Sequence, residues 1–415
     1  MRILVTGGNF CNRGAEAMLL TLIDQIRSRT DEAEFEVWSY SKDDQSKVGA
    51  ISHSEPNGIH ACFQLAYSKK TIFLIALQCI LILFPYRVFF VWMSRFPYLN
   101  SIRKADAVID ISGFALTGNR PFWRHLVYLA EARTIRASGT PFYVMTQSFG
   151  PFETFIQRFI SSEALKSADF ISARGPRSAQ HLEKLGMLLG QDFHVSPDMT
   201  YLFERSSSGL DADICALLKQ PRLAIVPNVN VYRQAAANDH SVDGENAYVE
   251  VMRDLCRSAA LDHGCQLIFI PHESDSSRVD DLDLISMIQA DEFILRNSIK
   301  LDRRLPASEI KFLISDCDGV IASRYHAMLA ALSTGVPVFV LGWADKYQES
   351  AEMAGNSKFV FCFNDFDRQT SKAKFAEFWN VRKMVRADLL KNLEKNKLVA
   401  NSTFDLLVSC INKQP

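Results

Sequence analysis

Residues 319–347 read GVIASRYHAMLAALSTGVPVFVLGWADKY. The run 319–322 is a short, wholly apolar strand, and the alanine-rich stretch 325–333 has the spacing of a helix. A second apolar strand follows at 336–341. A strand–helix–strand unit of this kind belongs to a parallel sheet covered by helices. It delivers Ser323 and Arg324 to the carboxyl edge of the sheet, puts His326 in the first helical turn and leaves Lys346 just past the next strand. A helix amino terminus attracts anions through its N–H groups and dipole, and a guanidinium there can grip phosphate or carboxylate with two hydrogen bonds. A histidine in the same field can act as acid or base near neutral pH.

Outward from that unit the alternation continues in both directions. Strands are expected at 3–6, 35–40, 107–111, 142–147, 170–173, 223–227 and 266–270. Helices are expected at 15–29, 122–137, 155–166, 176–185, 247–261, from 277 onward and at 308–314. Residues 204–220 turn polar and read as a connection, and 367–412 carry helical periodicity to the end, as a tail packing back on the first half. The expected fold is α/β, with two Rossmann-like domains facing a cleft and a C-terminal helical tail. The boundaries are 1–205, 221–366 and 367–415, with ligands at the carboxyl ends of the strands.

Composition narrows the function. The 415 residues include 46 Lys and Arg against 47 Asp and Glu, a net charge of −1 that argues against nucleic acid as a partner. Nine cysteines are scattered with no C-x-x-C pair, which supports neither a disulfide framework nor a zinc site. The opening MRILVTGG reads as a strand rather than a leader, so a reducing cytoplasm is the expected compartment. One segment departs from this picture. Residues 71–93, TIFLIALQCILILFPYRVFFVWM, are nearly all apolar, with Pro85 and Arg87 interrupting them and basic residues flanking them. The interruption argues against a membrane span, and leaves a buried helix with hairpin or a peripheral contact at the inner face of the membrane.

Further candidates sit after other strands. In TGGNFCNRGAEAM, residues 6–18, Gly7, Gly8 and Gly14 keep a strand-to-helix turn open for a ligand. Asn9 and Asn12 offer amides there, and Arg13 and Glu16 begin the helix. The pattern is not G-x-G-x-x-G, so a dinucleotide is not indicated. Gln147 ends a strand in QSFGP, Arg174 follows one in SARGPRS as an anion ligand, Asp198 is a candidate base, and His272 closes a strand in Pro271-His272-Glu273.

Taken in order, GGNFCNRGAEAML, DISG at 110–113, QSFGP, SARGPRSAQHLEKLG at 172–186, SPDMTY at 196–201, Pro271-His272 and SRYHAMLAALSTGVPVFVLGWADKY resemble the polysaccharide pyruvyltransferase family. The resemblance implies a two-domain GT-B-type enzyme that moves pyruvate from phosphoenolpyruvate onto saccharide hydroxyls as a cyclic ketal. Arg324 then matches the donor-binding arginine and His326 the essential histidine, with Tyr325 beside them. Lys346 and Arg174 supply further cations, and Asp198 or Glu16 takes the hydroxyl proton. No cofactor or metal is implied beyond the donor itself. The partners expected are phosphoenolpyruvate and a saccharide acceptor, extended by the apolar segment to a lipid-linked one. Gly14-Ala15-Glu16 and Phe114-Ala115 depart from the family pattern on the acceptor side, so the acceptor sugar is not read. A glycosyltransferase using a nucleotide sugar and a non-catalytic glycan-binding assembly protein are the alternative readings.

Overall fold

The computed structural model describes residues 1–10, 12–30, 32–39, 59–63, 97–118, 120–207, 221–237, 241–242, 245–273, 279–301, 305–343, 346–366 and 368–413. Two compact units divide the chain. The first holds Met1–Cys11, Met18–Met199 and Val399–Pro415, and the second holds Asn12–Ala17 and Thr200–Leu398.

The first unit is built on a seven-stranded sheet of β1 (Arg2–Thr6), β2 (Glu34–Ser39), β3 (Ile59–Phe63), β4 (Ala107–Asp110), β5 (Phe142–Gln147), β6 (Phe170–Arg174) and β7 (His194–Ser196). Their order is β3-β2-β1-β4-β5-β6-β7, all parallel. In the second unit come β8 (Arg222–Val226), a two-residue hairpin of β9 (Ser241–Val242) and β10 (Glu245–Asn246), then β11 (Gln266–Phe269), β12 (Ser298–Lys300), β13 (Gly319–Ala322), β14 (Val338–Gly342) and β15 (Val360–Cys362). Its six-stranded sheet, again parallel, runs β12-β11-β8-β13-β14-β15. In each sheet the chain begins in the middle, winds outward, then restarts on the other side of its first strand. The crevices beside β1/β4 and β8/β13 are the switch points where such folds bind ligands.

The strands are legible because both faces are covered. Ile3, Leu4 and Val5, like Val320, Ile321 and Ala322, are fully buried, so they read as continuous apolar runs rather than alternating ones. The strands β3, β7, β12 and β15 went unread, the last three being only three residues long. The helix expected from 277 begins at Asp281, where Asp280 and Asp283 form a capping box. The tail is one helix, Arg368–Asn412, whose Phe375 and Phe378 rings lie 5.9 and 5.7 Å from that of Phe339 on β14. Its residues up to Leu398 thus belong to the second unit, and only those from Val399 join the first. The apolar segment 71–93 lies outside the described residues, and no helix among the described residues is long and apolar enough to cross a membrane.

Candidate active site

The carboxyl end of β13 is pinned before Arg324 is reached. The Ser323 N–H donates to the Val226 carbonyl (2.9 Å), Tyr248 Oη donates to Ser323 Oγ (2.8 Å), and the Ser323 carbonyl accepts from Asn228 Nδ2 and Tyr347 Oη (2.9 Å each). Arg324 is therefore delivered as the N-cap of the helix Tyr325–Leu332 with an extended backbone, and its side chain does not cap that helix. Its guanidinium is buried and donates through Nη1 to Glu273 and through Nη2 to Asp281. Burial opposes its charge, but Asp281 and Glu273 outweigh burial and raise its pKa. Asp281 is held rigidly, because the N–H groups of Val229, His272 and Glu273 also donate to it at 3.2, 3.2 and 2.8 Å. The expectation placed Arg324 correctly at the strand end. Two carboxylates of the protein already occupy its terminal nitrogens, while its Nε is buried with no hydrogen-bond partner.

His326 lies one position into the same helix, edge-on to the Tyr325 ring (centroids 5.2 Å apart). Its imidazole rests on Gly14. A Cβ built on Gly14 would lie 1.9 Å from His326 Nδ1. This glycine therefore makes room for a catalytic candidate, where the sequence suggested room for a ligand. Asn12 serves as the cap of its helix, its Oδ1 accepting from the Gly14 N–H (2.8 Å), and its backbone bridges to Glu273. Arg13 pairs with Glu16, and Glu16 Oε1 accepts from the Ala307 N–H (3.4 Å).

A pocket of about 20 Å³, room for one water molecule, is lined by Arg13, His272, His326, Lys311, Thr200 and Phe203 among others. Lys311 is buried within it and donates to the carbonyls of Thr200 (3.1 Å) and Phe203 (2.7 Å). Burial, followed by the positive field of Arg324, His326 and Arg13, pushes the His272 pKa well down, so this imidazole is neutral at physiological pH. Lys346 sits with its Nζ 4.8 Å from the Tyr325 ring centroid and 5.2 Å from that of Trp343, a cation–π setting beside the helix start. Lys311 was missed. Its signal was a lysine on the buried face of 307–315, between Ile310 and Ile314, where a charge is rare unless held.

The other candidates belong to the first unit. Asp198 and Arg174 form a buried ion pair (2.7 Å), and Arg174 Nε and Nη2 donate to Ser148 Oγ at 3.1 and 2.9 Å. Gln147 donates through Nε2 to Asp110, which also accepts from Tyr128 Oη (2.7 Å) and from the Ser112 N–H (2.9 Å). Burial raises the Asp110 pKa against these donors. Thr146, just before Gln147, has φ 36° where β5 slips register against β6 between Val144 and Gln147. A bulge of this kind re-aims the next side chain, here that of Gln147. Gly7 combines φ 81° with a Cβ position 2.5 Å from the Ser112 nitrogen, so only glycine fits there; a Cβ on Gly8 would lie 3.3 Å from Ile111 Cδ1, and Asn9 beside it is half-buried.

Arg324, Tyr325, His326, Lys346, His272, Asn12 and Glu16 are thus gathered in the second unit, and Gly8, Asn9, Gln147, Arg174 and Asp198 in the first. Glu16, expected within the 1–205 domain, falls instead in the same unit as His326.

Two Rossmann-like sheets, each with a switch point and one lined by a histidine, an arginine and a lysine, define a GT-B-type α/β fold. Solved structures share it. A protein described as a UDP-N-acetylglucosamine 2-epimerase from Listeria monocytogenes matches with TM-score 0.63 at 11% identity, covering 100% of this chain and 97% of that one. The Neisseria meningitidis UDP-GlcNAc 2-epimerase, bound to UDP-GlcNAc, gives 0.60 at 12% identity with full coverage of both chains. Arabidopsis thaliana UGT89C1 complexed with quercetin gives 0.61 at 11%, over 99% of each. At these identities the likeness shows the fold alone. No curated protein matches the sequence. The family model for polysaccharide pyruvyl transferase matches residues 12–345, and the chain belongs to that family.

Proposed function

We propose that this protein transfers pyruvate from phosphoenolpyruvate to two hydroxyls of a saccharide, forming a cyclic ketal and releasing phosphate. The observation that carries the reading is the second-unit cluster in a chain of this family. Arg324 stands at the strand end, and His326, His272, Arg13 and Lys311 surround one pocket. A donor with a carboxylate and a phosphate needs such cations, and a helix amino terminus adds to them.

In this mechanism His326 gives a proton to the methylene carbon of the donor, and the neighbouring carbon becomes electrophilic. A saccharide hydroxyl attacks it, its proton passing to Glu16, which shares His326's unit. A second hydroxyl then displaces phosphate, which takes up that hydroxyl's proton and leaves as hydrogen phosphate, and the ketal closes. Neutral His272 leaves the positive charge of the site to Arg324, Arg13, Lys311 and Lys346. The pocket has room for one water, so donor entry requires side chains to move aside.

The test is a reaction with phosphoenolpyruvate and candidate saccharides, following acceptor-dependent phosphate release and the ketal by NMR. Turnover should collapse in His326→Ala while the melting temperature holds. Transfer that survives this substitution would remove the acid assignment. The likeness to nucleotide-sugar proteins supports a second reading, glycosyl transfer. Thermal stabilisation by UDP-sugars, with none by phosphoenolpyruvate, would select it.

A further inference from the structure

The helices Phe122–Ser138 and Phe155–Leu165 follow β4 and β5 and lead back into β5 and β6. Both therefore begin at the carboxyl edge of the first sheet and run side by side, with His125 Nδ1 3.2 Å from Ser161 Oγ and Arg133 Nη2 2.9 Å from Glu163. The loops entering them are fastened together, the Gly150 N–H donating to the Leu116 carbonyl at 3.0 Å. Each helix already has a buried face, Tyr128, Leu129, Ala132 and Ile135 on one and Ile160, Ala164 and Leu165 on the other. The opening turns nevertheless carry a second apolar set that the fold leaves in water. Phe155 is 73% exposed, and Phe122, Trp123, Ile156 and Phe159 lie between 45% and 55%.

Isolated exposed apolar residues are ordinary, but five large ones at the starts of two adjacent helices mark an interaction surface. Its rim identifies the partner. Arg124 stacks on Trp123 (4.7 Å to the ring centroid) and Arg120 on Phe114 (4.2 Å), and Arg158 lies within the exposed turn of the second helix. The segments 113–125 and 150–160 hold these three arginines against one acidic residue, Glu153. Aromatic side chains set among arginines suit the water–lipid boundary, where rings enter the acyl region and guanidinium groups meet headgroup phosphates. We propose that this end of the first unit docks on an anionic lipid bilayer. The inference is independent of the pyruvyl-transfer reading.

The test is co-sedimentation of the full chain with vesicles of phosphatidylcholine alone and of equal parts phosphatidylcholine and phosphatidylglycerol, at low and high salt. Wild type should bind the anionic vesicles, and Phe155→Ser/Phe159→Ser should lose about tenfold or more in partition. Arg120→Gln/Arg124→Gln should lose the preference for the anionic mixture. Phe155 and Phe159 are exposed, Arg120 and Arg124 are half-buried, and circular dichroism checks that both variants fold. Absence of binding by wild type would overturn the proposal. So would binding unchanged in the phenylalanine variant, because the bilayer would then be held by another part of the chain. A wild-type dimer turned monomeric by the same substitutions, with vesicle binding unaltered, would assign the surface to a second copy instead.

Discussion

Gly14→Ala isolates the seating of His326. Gly14 lies in the first turn of the helix Arg13–Arg27, where alanine is the better helix former by up to ~1 kcal/mol. Without a neighbour, the substitution should therefore stabilise. The neighbour is His326, and the new methyl would sit 1.9 Å from Nδ1, 2.3 Å from Cγ and 2.5 Å from Cε1. Ordinary contact begins at 3.4 Å, so the ring must retreat by about 1.5 Å or leave its rotamer. Overpacking of this kind costs about 1–3 kcal/mol, enough to reverse the propensity gain. A displacement of about 1 Å at a reacting group can cost about a hundredfold in rate. The assay is a double-mutant cycle, with urea denaturation of wild type, Gly14→Ala, His326→Ala and the double variant, and turnover measured on the first two. Gly14→Ala should destabilise the wild type and become neutral or stabilising once His326 is alanine. Equal effects in both backgrounds would refute the claim that the imidazole rests on this glycine.

Three further outcomes are expected. His272 has its pKa lowered by burial and then by Arg324, His326 and Arg13, so below pH ~6.5 the unfolded chain takes up the proton first. Stability should fall as pH drops from there, by up to ~1.4 kcal/mol per pH unit until the native pKa is reached, and His272→Gln should flatten that slope in denaturation curves at successive pH values. Asp198→Asn strands the Arg174 guanidinium in the core and should cost about 3–5 kcal/mol, much of it recovered by adding Arg174→Met. An unchanged melting temperature in Asp198→Asn would show the pair to be solvated. Glu273 is the more exposed of Arg324's two carboxylate partners, so Glu273→Gln should release one arm of the guanidinium. Calorimetry should then show phosphoenolpyruvate binding more tightly, by about tenfold for a charge-assisted contact of ~1.4 kcal/mol. Weaker binding would make Glu273 a donor-site group rather than a competitor.

The fold was legible because its signal is local and repeated. Buried parallel strands announce themselves as apolar runs such as Ile3–Val5, and the helices between them by their spacing. Strand ends also told where to look, and Arg324, His326 and His272 were all read from that rule. Their partners could not be read so easily. Asp281 reaches Arg324 from the first residue of a distant helix, and nothing in the spacing of 281 and 324 links them. The reason for Gly14 was hidden likewise, since a glycine after a strand fits a ligand turn as well as it fits a neighbouring ring. Glu16 and Arg13 were read together at a helix start, but the second partner of Glu16, the amino end of the helix Ala307–Ser315, appears only once the chain has folded. Lys311 was open to view as a charge on an apolar face, which is the kind of exception that marks a held group.

The pocket around His326 is discontinuous along the chain, with its floor at residues 12–17 and its remaining walls from residue 200 onward. On a ribosome, the floor leaves the tunnel roughly 15–60 s before the histidine that rests on it, at ~5–20 residues per second. Closure of the site is therefore among the least local events of folding, and it depends on residues 12–17 having kept their shape until residue 326 arrives. A product beginning downstream of Ala17, from an internal start or a proteolytic cut, would retain both strands of the second switch point, β8 and β13. It would lack the floor under His326. Such a product could pass as folded by its sheet and still be without the pocket, so residues 12–17 act as a check on whether the site forms at all.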